Sequence, residues 1–225
     1  ENLISLAKSK GPVKAVIVNA VKLTAIESAK QAVDANLITP IFIGDKSIIE
    51  KNAKEISWDI SKFELIDEPV ENNTAPIAAK LASEGKVKII IKGHIHTDVL
   101  MKAVLKRDLN LIGKKRLSHI WHMTLEKNDK PLIITDGALN VLPKLETKMH
   151  ILKNSIDFAN RINISKPKVS VLSATEEILE SVPSSIEANE LTKRAKEEGL
   201  NADVFGPMAF DNSISKKAAQ IKGIK

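Results

Sequence analysis

The chain has 225 residues, of which 43% are hydrophobic, and a formal net charge of +6. That is enough for one large domain or two smaller ones with a substantial core. Cysteine is absent, which excludes disulfides, thiolate zinc sites and an enzyme-bound thioester. No apolar run approaches the ~18 residues needed to cross a bilayer, and no charged n-region with an apolar h-region opens the chain. The sequence therefore reads as soluble and cytoplasmic. The basic excess points to an anionic partner. However, the lysines are scattered, tyrosine is absent and aromatics make up 3%, so the basic face and stacking aromatics of a nucleic-acid binder are missing. Small anionic substrates fit better.

Lys14–Val18 is a β-branched run that predicts a first buried strand. Thr24-Ala25-Ile26-Glu27 has the form of a capping box and predicts a helix up to about Leu37. Pro40–Gly44 reads as the second strand, which gives a βαβ unit and a parallel sheet. The alternation continues with a short helix over Lys46–Ala53 and a strand over Phe63–Ile66. A helix capped by Thr74, with Pro76 in its first turn, is then expected to stop at Gly85. A strand over Val87–Ile91 and a helix over Asp98–Lys106 follow. Ser118–Leu125 and Leu132–Thr135 read as two strands joined through Asn128-Asp129, and this pair interrupts the βα rhythm.

Leu145, Met149, Leu152, Ile156 and Ala159 recur at helical spacing in a helix ending near Arg161. Pro167–Leu172 is a further strand. Ser184-Ser185-Ile186-Glu187 predicts a second capping box, on a helix stopped by Gly199. Asp203-Val204-Phe205 is a strand running into Gly206-Pro207, and Asp211-Asn212 would cap a last helix to Ile221.

Polar loops at the carboxyl ends of buried strands are where open α/β sheets hold ligands. Two stand out: Lys92-Gly93-His94-Ile95-His96-Thr97-Asp98 and Thr135-Asp136-Gly137-Ala138-Leu139-Asn140. The first offers a lysine, a glycine and a helix start, which suit a phosphate or a carbonyl oxygen. Taken alone, it reads first as an ordinary strand-to-helix turn with an exposed lysine. In the second, Asp136 and Asn140 flank a glycine, which is also plain turn chemistry. Between the loops lies the basic run Gly113-Lys114-Lys115-Arg116-Leu117-Ser118-His119. Arg107 and Arg116 can serve simply as solvated charges. No Walker loop and no G-x-G-x-x-G is present. His94 and His96 lack a third ligand at a recognised spacing, and His119 and His122 would point to opposite faces of a strand, so no metal site is expected.

In order and spacing, the segments Ile91–Leu100, Lys115–Ile120 and Leu132–Val141 resemble the phosphate acetyl/butyryltransferase family. Pro40–Gly44, Pro167–Ala174, Gly206–Ser215 and Ala218–Ile224 extend the resemblance over essentially the whole chain. The chain is most similar to the butyryltransferase-like branch, including the phosphotransacylase half of fusions with a MaoC-type enoyl-CoA hydratase. The resemblance implies a two-domain α/β fold of the isocitrate/isopropylmalate dehydrogenase kind with an interdomain cleft. It places one domain over residues 1–135, normally completed by a C-terminal stretch, and the other over residues 136–225.

The resemblance also implies the reversible reaction of acetyl- or butyryl-CoA with phosphate, giving acyl phosphate and free CoA. Direct thiol attack in a ternary complex would accomplish it, with coenzyme A as substrate and no further cofactor. A homodimer is implied, with no nucleic-acid or membrane partner. Carried over, Lys92, Gly93, Thr97, Asp98, Ser118, His119, Asp136, Asn140, Asp211 and Asn212 would be substrate-binding, with none singled out as the base. The family's late Ser-Arg motif and nearby aspartate fall beyond Lys225. The alternative expectation is accordingly a C-terminally shortened, non-catalytic member that binds at most CoA or a partner chain. A dehydrogenase on the related fold is disfavoured, because its cofactor and hydroxy-acid signatures are not evident.

Overall fold

The computed structural model describes residues 3–125 and 128–224. It falls into two compact units, Glu1–Gly113 and Lys114–Lys225, a division that comes earlier in the chain than the one expected after residue 135.

The first unit opens with α1 (Leu3–Ser9) and β1 (Val13–Val18), then α2 (Leu23–Asp34) and β2 (Ile38–Gly44). It continues with α3 (Lys46–Glu55), β3 (Glu64–Asp67), α4 (Glu71–Ser83), β4 (Ile89–Lys92) and α5 (Thr97–Val104). The four strands form one parallel sheet in the order β3-β2-β1-β4. Strands buried on both faces must be apolar on both, which explains the runs Ala15–Val18 and Ile41–Ile43. Val16, Val18, Ile41 and Ile43 pack with α4 residues on one face. Ile17 and Phe42 pack with Ile26, Ala29 and Ile49 on the other.

Two helix starts in this unit differ from expectation. The N-cap of α2 is Lys22, without a side-chain cap bond, so Thr24 lies inside the helix and the capping box does not form. The loop leaving β1 delivers the chain to the first turn directly, and Ala25 and Ile26 both donate to the Lys22 carbonyl, at 3.0 and 3.3 Å. Similarly, α4 starts at Glu71, with Thr74 buried within it and Pro76 inside the helix. Thr74 turns its hydroxyl onto the Glu71 carbonyl at 2.6 Å. The stop at Gly85 forms as expected, with φ at +71°.

In the second unit β5 (Ile120–Leu125) and β6 (Asn128–Thr135) form an antiparallel pair. Asn128 and Asp129, expected in the turn, belong to β6, and residues 126–127 lie outside the described residues. Next come α6 (Leu145–Arg161), β7 (Lys168–Leu172), α7 (Pro183–Glu197) and β8 (Asp203–Met208). β7 and β8 are parallel, and Met149, Leu152 and Ile156 of α6 pack against Leu191 and Ala195 of α7. α7 starts at Pro183 rather than through a Ser184 capping box. Proline fits the first helical position, and the Ser185 hydroxyl is instead engaged with Leu179 and Val182.

The final helix is two short ones, α8 (Phe210–Ile214) and α9 (Lys216–Ile221). Extended backbone at Ser215 separates them, and its hydroxyl caps α9. Asp211 and Asn212 therefore lie inside α8 and are not caps, Ala209 holding that position.

Candidate functional site

In the first unit the chain winds outward from β1 to β2 and β3, then returns to place β4 on the other side of β1. The reversal makes the carboxyl ends of β1 and β4 the crevice at which such sheets take ligands. Here the two backbones approach closely. The Gly93 N–H donates to the Val18 carbonyl and that of His94 to the Asn19 carbonyl, each at 2.9 Å. Buried Asn19, in the left-handed region at φ +50°, returns a bond from Nδ2 to the His94 carbonyl at 2.6 Å. A Cβ at Gly93 would lie 2.3 Å from the Val18 carbonyl oxygen and 2.7 Å from that of Asn19. Glycine is thus required at 93 by the approach itself.

Lys92, exposed at the end of β4, borders two concavities. The larger, of about 380 Å³, is walled by Lys22, Thr24 and Ser28 on the α2 side and by Ile91–His94 on the other. The smaller runs over His94–Thr97 to Glu71. Thr97 opens α5, and Asp98 in its first turn pairs with Lys102 at 3.6 Å.

In the second unit the His119 N–H and Asn140 come together around the Asp136 carboxylate, while Ser118 is held by Asn154. Asp136 accepts from the N–H groups of Ala138 (3.1 Å), Leu139 (3.0 Å) and Asn140 (3.1 Å), and from Asn140 Nδ2. Burial pushes the Asp136 carboxyl up, but the bonds from Asn140, Leu139, Ala138 and the His119 N–H outweigh it and hold it below its ordinary 3.8. A carboxylate so saturated with donors shapes its loop and is a poor proton acceptor. Asn140 Nδ2 also reaches the Leu117 carbonyl at 2.9 Å. Asn154 of α6 ties down the Arg116 carbonyl (2.7 Å) and Ser118 Oγ (3.0 Å). Thr135 Oγ1 donates to the His119 carbonyl at 2.8 Å, while His119 Nδ1 is buried without a hydrogen-bond partner.

Asp211 and Asn212 form a third group with two residues that the sequence did not single out, Glu176 and Lys222. Asn212, buried, donates from Nδ2 to Glu176 Oε1. Lys222 Nζ binds the same Glu176 oxygen at 3.0 Å and Asp211 at 3.4 Å. The Lys222 bond holds Glu176 below the usual carboxylate range, and Glu176 in turn raises Lys222. Among the described residues no group of three or more His, Asp or Glu side chains could hold a metal ion. No helix among them is long and apolar enough to cross a membrane.

Residues 67–225 match the family model described as phosphate acetyl/butaryl transferase. The chain belongs to this family, and so to a family of transferases. It is 36% identical to a phosphate acetyltransferase of Rhizobium meliloti, over 100% of the chain and 71% of that protein. It is 33% identical to a phosphate butyryltransferase of Clostridium acetobutylicum, over 99% of the chain and 74% of that protein. The chain spans 64% of the length of the phosphate acetyltransferases of two Rickettsia species that it also matches. Among solved structures, a branched-chain phosphotransacylase from Enterococcus faecalis superposes with a TM-score of 0.81 at 27% identity, over 95% of this chain and 74% of that one.

Proposed function

We propose that the protein transfers a short acyl group, acetyl or butyryl, between coenzyme A and inorganic phosphate in a ternary complex, with coenzyme A as substrate and no resident cofactor. The observation that carries this reading is the similarity to acetyl- and butyryltransferases over the full length of the chain. In one direction a phosphate oxygen attacks the thioester carbonyl and the CoA thiolate leaves. In the other the thiolate attacks the acyl phosphate and phosphate leaves. Neither direction needs an enzyme nucleophile, in keeping with a chain that has no cysteine.

The reaction needs cations and N–H donors for phosphate and for the carbonyl oxyanion. Lys92, with the start of α5 at Thr97-Asp98 beside it, supplies a cation and unpaired backbone N–H groups on one unit. Gly93 sets the path of that loop. On the other unit, His119 and Asn140, arranged by Asp136, and Ser118, held by Asn154, are substrate-binding groups. Asp211 and Asn212 are a further binding pair, held by Glu176 and Lys222. We assign the thiol base to none of them. The fold is of the isocitrate/isopropylmalate dehydrogenase type, and the protein works as a cytoplasmic homodimer.

The test is thioester formation from acetyl or butyryl phosphate and free CoA. Formation that depends on both substrates supports the reading. Well-folded protein that makes no thioester with either acyl phosphate refutes it.

A further inference from the structure

Trp121 lies on β5 opposite Ile134, and 56% of its surface is exposed. The other tryptophan, Trp58, packs edge-on with Phe42 in the core of the first unit. Exposure alone would be unremarkable, but this indole is also fixed. Its ring meets the His119 ring edge-on at 4.9 Å. The backbone of Gly137 is pressed so close that a Cβ there would lie 3.3 Å from indole Cδ1 and Nε1. Gly137 belongs to the loop pinned by Asp136. A large aromatic surface is therefore held rigid, half open to solvent, against the residues proposed to bind substrate.

We propose that the open face of Trp121 is the platform on which the adenine of coenzyme A stacks, an inference that rests on the acyltransferase reading above. Adenine is the one extended π-surface among the proposed substrates, and every acyl-CoA carries it whatever its acyl chain. The phosphates beside it need cations. The segment leading to Trp121 begins with Lys114-Lys115-Arg116, and among the described residues Lys115 pairs loosely with Asp157 at 3.9 Å while Lys114 and Arg116 form no ion pair. Asn140 and Asn154 strap the intervening carbonyls in place, so the charges lie on a braced segment that runs into the strand carrying the platform. A pre-ordered ring loses little freedom when a ligand docks.

Stacking far from the thioester contributes to ground and transition states alike, so its loss should appear in KM rather than kcat. Trp121→Ala should raise KM for CoA roughly fivefold to a hundredfold, with a much smaller change in kcat or in KM for phosphate. Trp121→Phe should recover most of the loss. With acyl-pantetheine, which lacks the adenosine, the wild type and Trp121→Ala should behave alike. Fluorescence supplies a readout independent of turnover: CoA should quench the wild type and leave Trp121→Phe unquenched. An unchanged KM for CoA, or an equal loss with CoA and pantetheine substrates, overturns the proposal. So does a change in oligomeric state on light scattering without a CoA defect, which would make the ring a contact between copies. If the wild type turns over no acyl-CoA, the acyltransferase reading fails, and the quenching comparison still decides whether adenine binds at Trp121.

Discussion

Replacing Gly93 with alanine tests whether the junction of β1 and β4 is as tight as its geometry indicates. The added methyl would sit 2.3 Å from the Val18 oxygen and 2.7 Å from the Asn19 oxygen. Both are backbone atoms of a buried strand end, so neither can swing away. The chain must instead separate β4 from β1 beyond Lys92, which weakens the Gly93–Val18, His94–Asn19 and Asn19–His94 bonds. Overpacking of this kind costs about 1–3 kcal/mol, and each weakened bond about 1 kcal/mol more. With three bonds weakened, the total of roughly 4–6 kcal/mol corresponds to a fall in Tm of roughly 8–24 °C for a chain of this size. Gly113→Ala is the matched control, since a Cβ there meets nothing within 4 Å. Thermal unfolding followed by circular dichroism should show the large drop for Gly93→Ala and a shift within about 2 °C for the control. Equal shifts in the two variants would refute the close-approach argument.

Asp136→Asn removes the charge and one of two acceptor oxygens from the five-donor hub, and should destabilise the protein by about 1–3 kcal/mol in urea titrations. Because the folded-state pKa of Asp136 is depressed, the difference from wild type should be fully present above the ordinary 3.8 and close as pH falls through the lower folded value. A difference independent of pH would show that the charge is irrelevant. Lys222→Met should let the Glu176 carboxyl titrate closer to its ordinary 4.5, read from its side-chain carbon by NMR; an unmoved titration would contradict the coupling. Lys92→Ala should raise KM for phosphate about tenfold or more while leaving KM for CoA nearly unchanged, in initial-rate kinetics with each substrate varied. Equal effects on both substrates would place Lys92 elsewhere than at the phosphate.

The β-rich runs, the parallel sheet and the glycine stops at Gly85 and Gly199 were legible because each follows from a local rule. A strand buried on both faces must be apolar throughout, and a helix that ends in the left-handed region favours glycine. Helix starts were less legible. The Thr24 and Ser184 patterns match capping boxes, but the β1 exit and Pro183 start those helices by other means. The loops at Lys92 and Asp136 could be found from their position after apolar runs. What braces them could not. Asn19 reaches the His94 carbonyl across 75 positions, and Asn140 reaches the Leu117 carbonyl across 23, separations that no periodicity encodes. Gly93 shows the same limit: the sequence offered a flexible residue near a ligand, whereas the reason for glycine is a backbone 2.3 Å from where a side chain would begin.

Acyl transfer to phosphate is read most plainly as release of free thiol from acetyl-CoA and butyryl-CoA, measured with and without inorganic phosphate. A phosphate acyltransferase should show release that depends on phosphate and saturates with it, accompanied by stoichiometric acyl phosphate in the phosphorus NMR spectrum. Thiol release at the same rate without phosphate, or none from folded protein with either thioester, would contradict that activity.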